Sequence, residues 1–140
     1  MGLDMYAFRA RVDADRPMPD VDARFTDRDE RTDDNGNPLF EMVDAEFYYW
    51  RKHPDLHGWM EKLYRTKGGE DPSFNCNSVR LMAEDLDALE AAIKNTALPH
   101  TTGFFFGEST PEDRDDDLEF IGRARAAIAE GDAVYYDSWW

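Results

Sequence analysis

Hydrophobic and polar residues alternate over residues 2–12, GLDMYAFRARV, with Leu3, Met5 and Ala7 on one face and Asp4, Tyr6 and Phe8 on the other. A period of two with aromatic members predicts an opening β-strand. The pattern then fails. Asp13 to Pro38 holds nine acids, four arginines and three prolines, and Val21 and Phe25 are its main apolar residues. So few apolar groups do not offset the ~1–2 kcal/mol per residue of backbone ordering, so a mobile acidic loop or insertion is expected over about 13–38. Asp34-Asn35-Gly36-Asn37 marks a turn near its end, because Asn and Gly tolerate positive φ. Leu39 to Trp50 returns to strand character and is expected to run antiparallel to the first strand.

From Pro54 the period changes. Leu56, Trp59, Met60, Leu63 and Tyr64 recur at helical spacing, Pro54 suits a first turn, and Gly68-Gly69 closes the helix. A short strand is expected around Ser78–Met82. A second helix should follow over about Glu84–Asn95, with Leu86, Leu89 and Ile93 inward and Glu84, Asp85 and Asp87 favouring its positive end. Leu98-Pro99 breaks it. Gly103-Phe104-Phe105-Phe106-Gly107 reads as a short buried strand, and Ser109 or Thr110 as the cap of a third helix. Leu118, Ile121, Ala124 and Ile128 mark the core stripe of that helix, and Gly131 its end. Ala133–Trp140 predicts a last aromatic strand with Trp139 packed against the sheet or the first helix. The expected fold is α+β: one domain over 1–140, with a mixed, mostly antiparallel sheet of about five strands and three helices on one face.

Composition narrows the classes of function. Acids outnumber bases 31 to 16 in the 140 residues, a formal charge of -15. Such a surface repels phosphate backbones and anionic lipid, so direct nucleic-acid binding is not expected, whereas a basic protein partner is favoured. Aromatics at 14% supply a core despite the mean hydropathy of -0.75. The single cysteine, Cys76, excludes an internal disulfide and a multi-cysteine zinc cage. No signal-like leader and no apolar run of ~20 residues occurs, so a cytoplasmic protein without membrane association is expected.

Candidate chemistry gathers in FYYWRKHPDLHGWMEKLY, residues 47–64, where an aromatic strand meets an amphipathic helix. Arg51 and Lys52 could hold an anionic group while Trp50 stacks on it, and His57 could act as general acid or base. His53 and His57 are four apart, but Pro54 places His53 ahead of the helix and no spacing selects a third ligand, so no metal is assigned. The acidic segment fails as a calcium loop: with Gly36 at position six, Arg31 and Met42 occupy positions where carboxylates are needed. No phosphate-cradling glycine motif is present. Cys76 has no basic neighbour, and Ser109 and Ser138 lack a GxSxG setting.

Several of these stretches resemble a family of small, functionally uncharacterised proteins encoded by bacteriophages, prophages and their hosts. The likeness lies in Met1-Gly2-Leu3-Asp4-Met5-Tyr6, Tyr49-Trp50-Arg51-Lys52, His57 with Trp59, Gly103 to Gly107, and Tyr135-Tyr136-Asp137-Ser138-Trp139. The excursion at 13–38 and Pro54 depart from it. The resemblance implies a phage or prophage setting and draws attention to Asp4, Tyr6, Arg51, Lys52, His57, Trp59 and Ser138, without supplying a reaction. Two readings follow. The first is a non-enzymatic acidic accessory protein that binds a host protein, plausibly a basic nucleic-acid-binding one. The second is a small-ligand site or small enzyme with an anionic substrate, using Asp4, Tyr6, Trp50, Arg51, Lys52, His57 and Trp59. Neither requires a cofactor, and the oligomeric state is left open.

Overall fold

The computed structural model describes residues 2–103 and 106–140. Among them, three helices and a five-stranded sheet form an α+β fold. In chain order the elements are β1 (Asp4–Ala10), β2 (Phe25–Thr26), β3 (Phe40–Arg51), α1 (Pro54–Thr66), β4 (Val79–Leu81), α2 (Ala83–Lys94), α3 (Asp113–Ala129) and β5 (Ala133–Trp139). The sheet order is β2-β3-β1-β5-β4. Alternating β1 lies at its centre and pairs antiparallel with both β3 and β5. β4 pairs antiparallel with β5, and only the two-residue β2 runs parallel to its neighbour.

The helices cover one face. Leu3, Met5 and Ala7 of the opening segment join Val79, Leu81, Val134 and Tyr136 beneath Leu56, Met60 and Tyr64 of α1 and Leu86, Leu89 and Ile93 of α2. On α3 the buried face is Asp117, Phe120, Ile121, Ala124 and Ala127, while Leu118 and Ile128 are only partly buried. The inward stripe is thus rotated from the one read in the sequence. A bulge explains it. The β1–β3 register steps from Ala7↔Tyr48 to Arg9↔Asp44, so β3 carries extra residues there. Neighbours Phe47 and Tyr48 can therefore both reach Phe120, with ring centroids 6.5 and 5.4 Å away, which regular alternation would forbid. The Trp50 indole sits 4.7 Å from the same ring.

The excursion is not detached. Val21 bridges to Val79, the Asp22 N–H donates to the Ser78 carbonyl, and the Arg80 N–H donates to the Asp20 carbonyl, so residues 20–22 run along the free edge of β4. Arg16 donates to the Arg31 and Leu39 carbonyls and to Asp13. On the sheet's second face, Ala23, Met18 and Phe25 pack against Ala10, Ala133 and Tyr135 as a small second core. The expectation of a wholly mobile loop took local apolar content as the only source of order. Here polar side chains and a sheet edge from elsewhere in the chain supply it.

The third helix begins at Asp113, later than a cap at Ser109 or Thr110 would place it. Thr110 instead donates its N–H to the Asp113 carboxylate at 2.7 Å. Phe104 and Phe105, central to the strand expected at 103–107, lie outside the described residues, and Gly103, Phe106 and Gly107 are in irregular chain. No described helix is long and apolar enough to cross a membrane.

Candidate functional site

The residues singled out in the sequence are divided by the sheet. Register sets Arg51, Asp4 and Trp139 in one row across β3, β1 and β5, and Tyr49, Tyr6 and Asp137 in the next, all on the face without helices. Trp50 and His57 are buried on the helix side, and Trp59 packs there partly buried. Lys52 is exposed at the end of β3, turned by a φ of 54°. Arg51 and Lys52 therefore do not share a pocket with His57.

His57 is held in the core. Its Nδ1 lies 2.6 Å from the Tyr136 hydroxyl, and the rings of Phe74 and Phe106 enclose it at 5.0 and 5.3 Å. Burial lowers its pKa to about 4, so it is neutral near pH 7 and poorly placed as a proton carrier. This hydrogen bond ties α1 to β5.

A second polar cluster joins residues that the sequence did not connect. His53 Nε2 lies 2.8 Å from Asp117 Oδ2, and His53 Nδ1 lies 2.6 Å from the Ser109 hydroxyl. The Trp50 indole N–H donates to Asp117 Oδ1 at 3.1 Å, so both carboxylate oxygens are engaged. Burial raises the pKa of Asp117, and the His53 and Trp50 hydrogen bonds oppose that shift. Ser109 Oγ also accepts the Asp55 N–H at 3.1 Å. The N-cap residue of α1, His53, makes no side-chain cap, so Ser109 satisfies that open end from across the fold. The cluster borders a cavity of about 330 Å³ whose lining includes Ile93, Leu98, Pro111 and Arg114. Another cavity, of about 310 Å³, lies against the excursion, where Arg11 pairs with Glu41 and both Arg16 and Arg31 pair with Asp13.

On the uncovered face two rings stand largely in water, whereas Tyr6 and Asp137 beside them are half-buried. Trp139 is 64% exposed and Tyr49 51%. The Tyr49 hydroxyl donates to Asp4 Oδ1 at 2.5 Å, which with partial burial pushes its pKa up to about 12 and keeps it neutral. Tyr6 lies 5.3 Å from the Tyr49 ring. Arg51 approaches Asp4 only to 3.7 Å and is itself largely exposed. The packed Trp139 expected from alternation is thus reversed, because no element covers its row. Trp140 is the tethered one. Its N–H donates to Asn75 Oδ1 at 3.0 Å, its indole donates to the Phe74 carbonyl at 3.1 Å, and its ring meets Phe106 edge-on at 5.1 Å.

Alternation in β1 and β5 carried enough information to find the exposed rows once their pairing was known. Ser109 and Asp117 could not be linked to His53 in this way, since 56 and 64 residues separate them. No protein-family model matches the chain, and neither a curated protein nor a solved structure matches it.

Proposed function

We propose that this chain is an acidic accessory protein of a phage or prophage that binds a basic host protein in the host cytoplasm, through the uncovered rows of its sheet. The observation that carries the reading is the pair of exposed rings, Trp139 and Tyr49, beside Asp4 on a face left bare by the helices. Aromatic faces attract Lys and Arg by about 0.5–1 kcal/mol each at exposed sites, and tryptophan and tyrosine are enriched among residues that dominate binding. The net charge of -15 would accelerate encounter with a positive partner. Many of the bases are already used internally: Arg11 pairs with Glu41, Arg24 with Asp33, Arg31 with Asp13, and Arg123 with Glu119. The excess acid is left facing solvent.

The test is a fluorescence titration with a lysine- and arginine-rich peptide, paired with capture from host lysate, on wild type and on the double variant Tyr49→Ala, Trp139→Ala. Binding should weaken with salt, and the double variant should bind about tenfold more weakly, the equivalent of about 1.4 kcal/mol. Equal affinity in the double variant, or no peptide binding at low salt, would reject this surface.

A further inference from the structure

The cluster at the ends of α1 and α3 has a chemistry that a binding surface on the opposite face of the sheet does not use. We propose that Ser109, His53 and Asp117 form a nucleophilic site that hydrolyses small carboxylic esters in the adjoining cavity. The argument begins with the proton positions. With Asp117 ionised and the imidazole neutral, His53 Nε2–H donates to the carboxylate at 2.8 Å and Nδ1 is left as a lone pair. That lone pair can accept from the Ser109 hydroxyl, 2.6 Å away, with the Asp113 carboxylate 3.5 Å from the same nitrogen. The chain of hydrogen bonds therefore runs hydroxyl to imidazole to carboxylate, the order that activates a serine, and such arrangements are recognised by geometry and roles rather than by chain position. The Trp50 N–H on the other carboxylate oxygen holds Asp117 in place, so Asp117 acts as a positioning residue.

The surroundings fit the reaction. His53 and Asp117 are buried, whereas Ser109 is only half-buried and lies on the cavity wall. Asp55 and Asp113, from the first turns of α1 and α3, line the same cavity, so the positive ends of two helices converge there. Arg114 lines the cavity and is the charged donor there toward which a developing oxyanion can turn. The Asp55 and Asp113 carboxylates disfavour an anionic substrate, and Ile93, Leu98 and Pro111 offer an apolar wall. About 330 Å³ is near the lower limit for ligand clefts. The substrate class is accordingly a small, uncharged ester with a short acyl chain.

In the first step Ser109 Oγ bonds to the ester carbonyl carbon, its proton moves to His53 Nδ1, and the carbonyl π pair moves onto oxygen. Collapse re-forms the carbonyl and breaks the bond to the leaving alkoxide, which takes the proton from Nδ1 and departs as the alcohol. Water then attacks the acyl-serine carbon and gives a proton to Nδ1. Expulsion of Ser109 Oγ, which recovers that proton, releases the carboxylic acid. Ester and water become acid and alcohol, with the protein unchanged.

The experiment treats the full chain with a fluorophosphonate, maps the modified residue by peptide mass, and follows p-nitrophenyl acetate and butyrate hydrolysis against pH. Wild type should be labelled at Ser109 and should turn over both esters. Ser109→Ala and His53→Gln should each lower turnover by about 10³-fold or more, and Asp117→Asn by about 10²-fold or more. Ser109→Cys guards against a variant that merely loses the helix cap: it should stay folded and alkylate rapidly with iodoacetamide at position 109, located by peptide mass apart from the exposed Cys76. A folded wild type that takes no label at Ser109 overturns the proposal. So does ester hydrolysis that survives in a folded Ser109→Ala protein.

Discussion

On the helix side of the sheet, polar side chains are few and buried, and all but a few such as Ser138, whose hydroxyl has no partner, are paired. His53 meets Asp117, His57 meets Tyr136, and Trp50 gives its N–H to the same Asp117. On the other side, Tyr49 and Trp139 stand largely in water, and the carboxylates between them are only partly covered. The same strands make both faces, so strand propensity cannot account for the difference. Coverage does. Three helices remove water from one face, which makes every unpaired polar group there costly, whereas the excursion reaches only the far end of the other face, over Tyr135 and Phe8.

Opening the helix side should have the largest effect. Phe120 is fully buried beneath Phe47, Tyr48 and Trp50, so Phe120→Ala should cost about 3–5 kcal/mol. Urea unfolding measures it directly. A loss below about 1 kcal/mol would mean that the bulged strand and α3 are not packed together as described.

The next largest effects are pH-dependent and opposite in sign on the two faces. Burial lowers the His57 pKa to about 4, whereas in the unfolded chain it sits near 6.5. Between those values the unfolded state takes a proton that the folded state refuses, so this residue makes stability fall as pH falls from about 6.5 to 4. Asp137 behaves the other way. Burial raises its pKa to about 6 from 3.8, so the folded state holds the proton longer and stability falls as pH rises through that window. Each effect is on the order of 2–3 kcal/mol, and in wild type they largely offset. His57→Gln should therefore gain on wild type as pH drops from 7 to 4, and Asp137→Asn should gain as pH rises from 4 to 7. Melting curves across that range test both, and parallel wild-type and variant curves would contradict the assigned burial.

At the chain end the two faces differ by less. Trp140→Ala loses the indole hydrogen bond to Phe74 and the contact with Phe106, and should cost about 1–2 kcal/mol. Trp139→Ala should stay within about 0.5 kcal/mol of wild type, because its ring is mostly exposed. Thermal melting ranks the pair, and the reverse order would place Trp139 rather than Trp140 in the packed position.

The smallest effect concerns the excursion. Amides bonded to distant carbonyls, such as those of Asp22, Leu39 and Arg80, should exchange more slowly than the amides of Asp27 and Asp29. Uniformly fast exchange over 20–39 would detach the segment from the sheet edge and restore the mobile loop.

Much of the architecture follows from the sequence alone. Period-two alternation in residues 2–12 and 133–139 specifies β1 and β5, and helical spacing from Leu56 to Tyr64 specifies α1, because these patterns act between near neighbours. The same patterns state that each strand has two faces, and the charge of -15 sets the overall sign of the surface. What tertiary structure decided was which face would be covered and which distant groups would meet. Residues 20–22 gained order from β4, Trp139 fell on the bare row, and Ser109 came to rest on His53 rather than at the start of its own helix. The physical reason is that a side chain's solvation and proton position depend on groups brought near it by folding. A hydrogen bond across 64 residues, such as that between His53 and Asp117, leaves no local period in the chain.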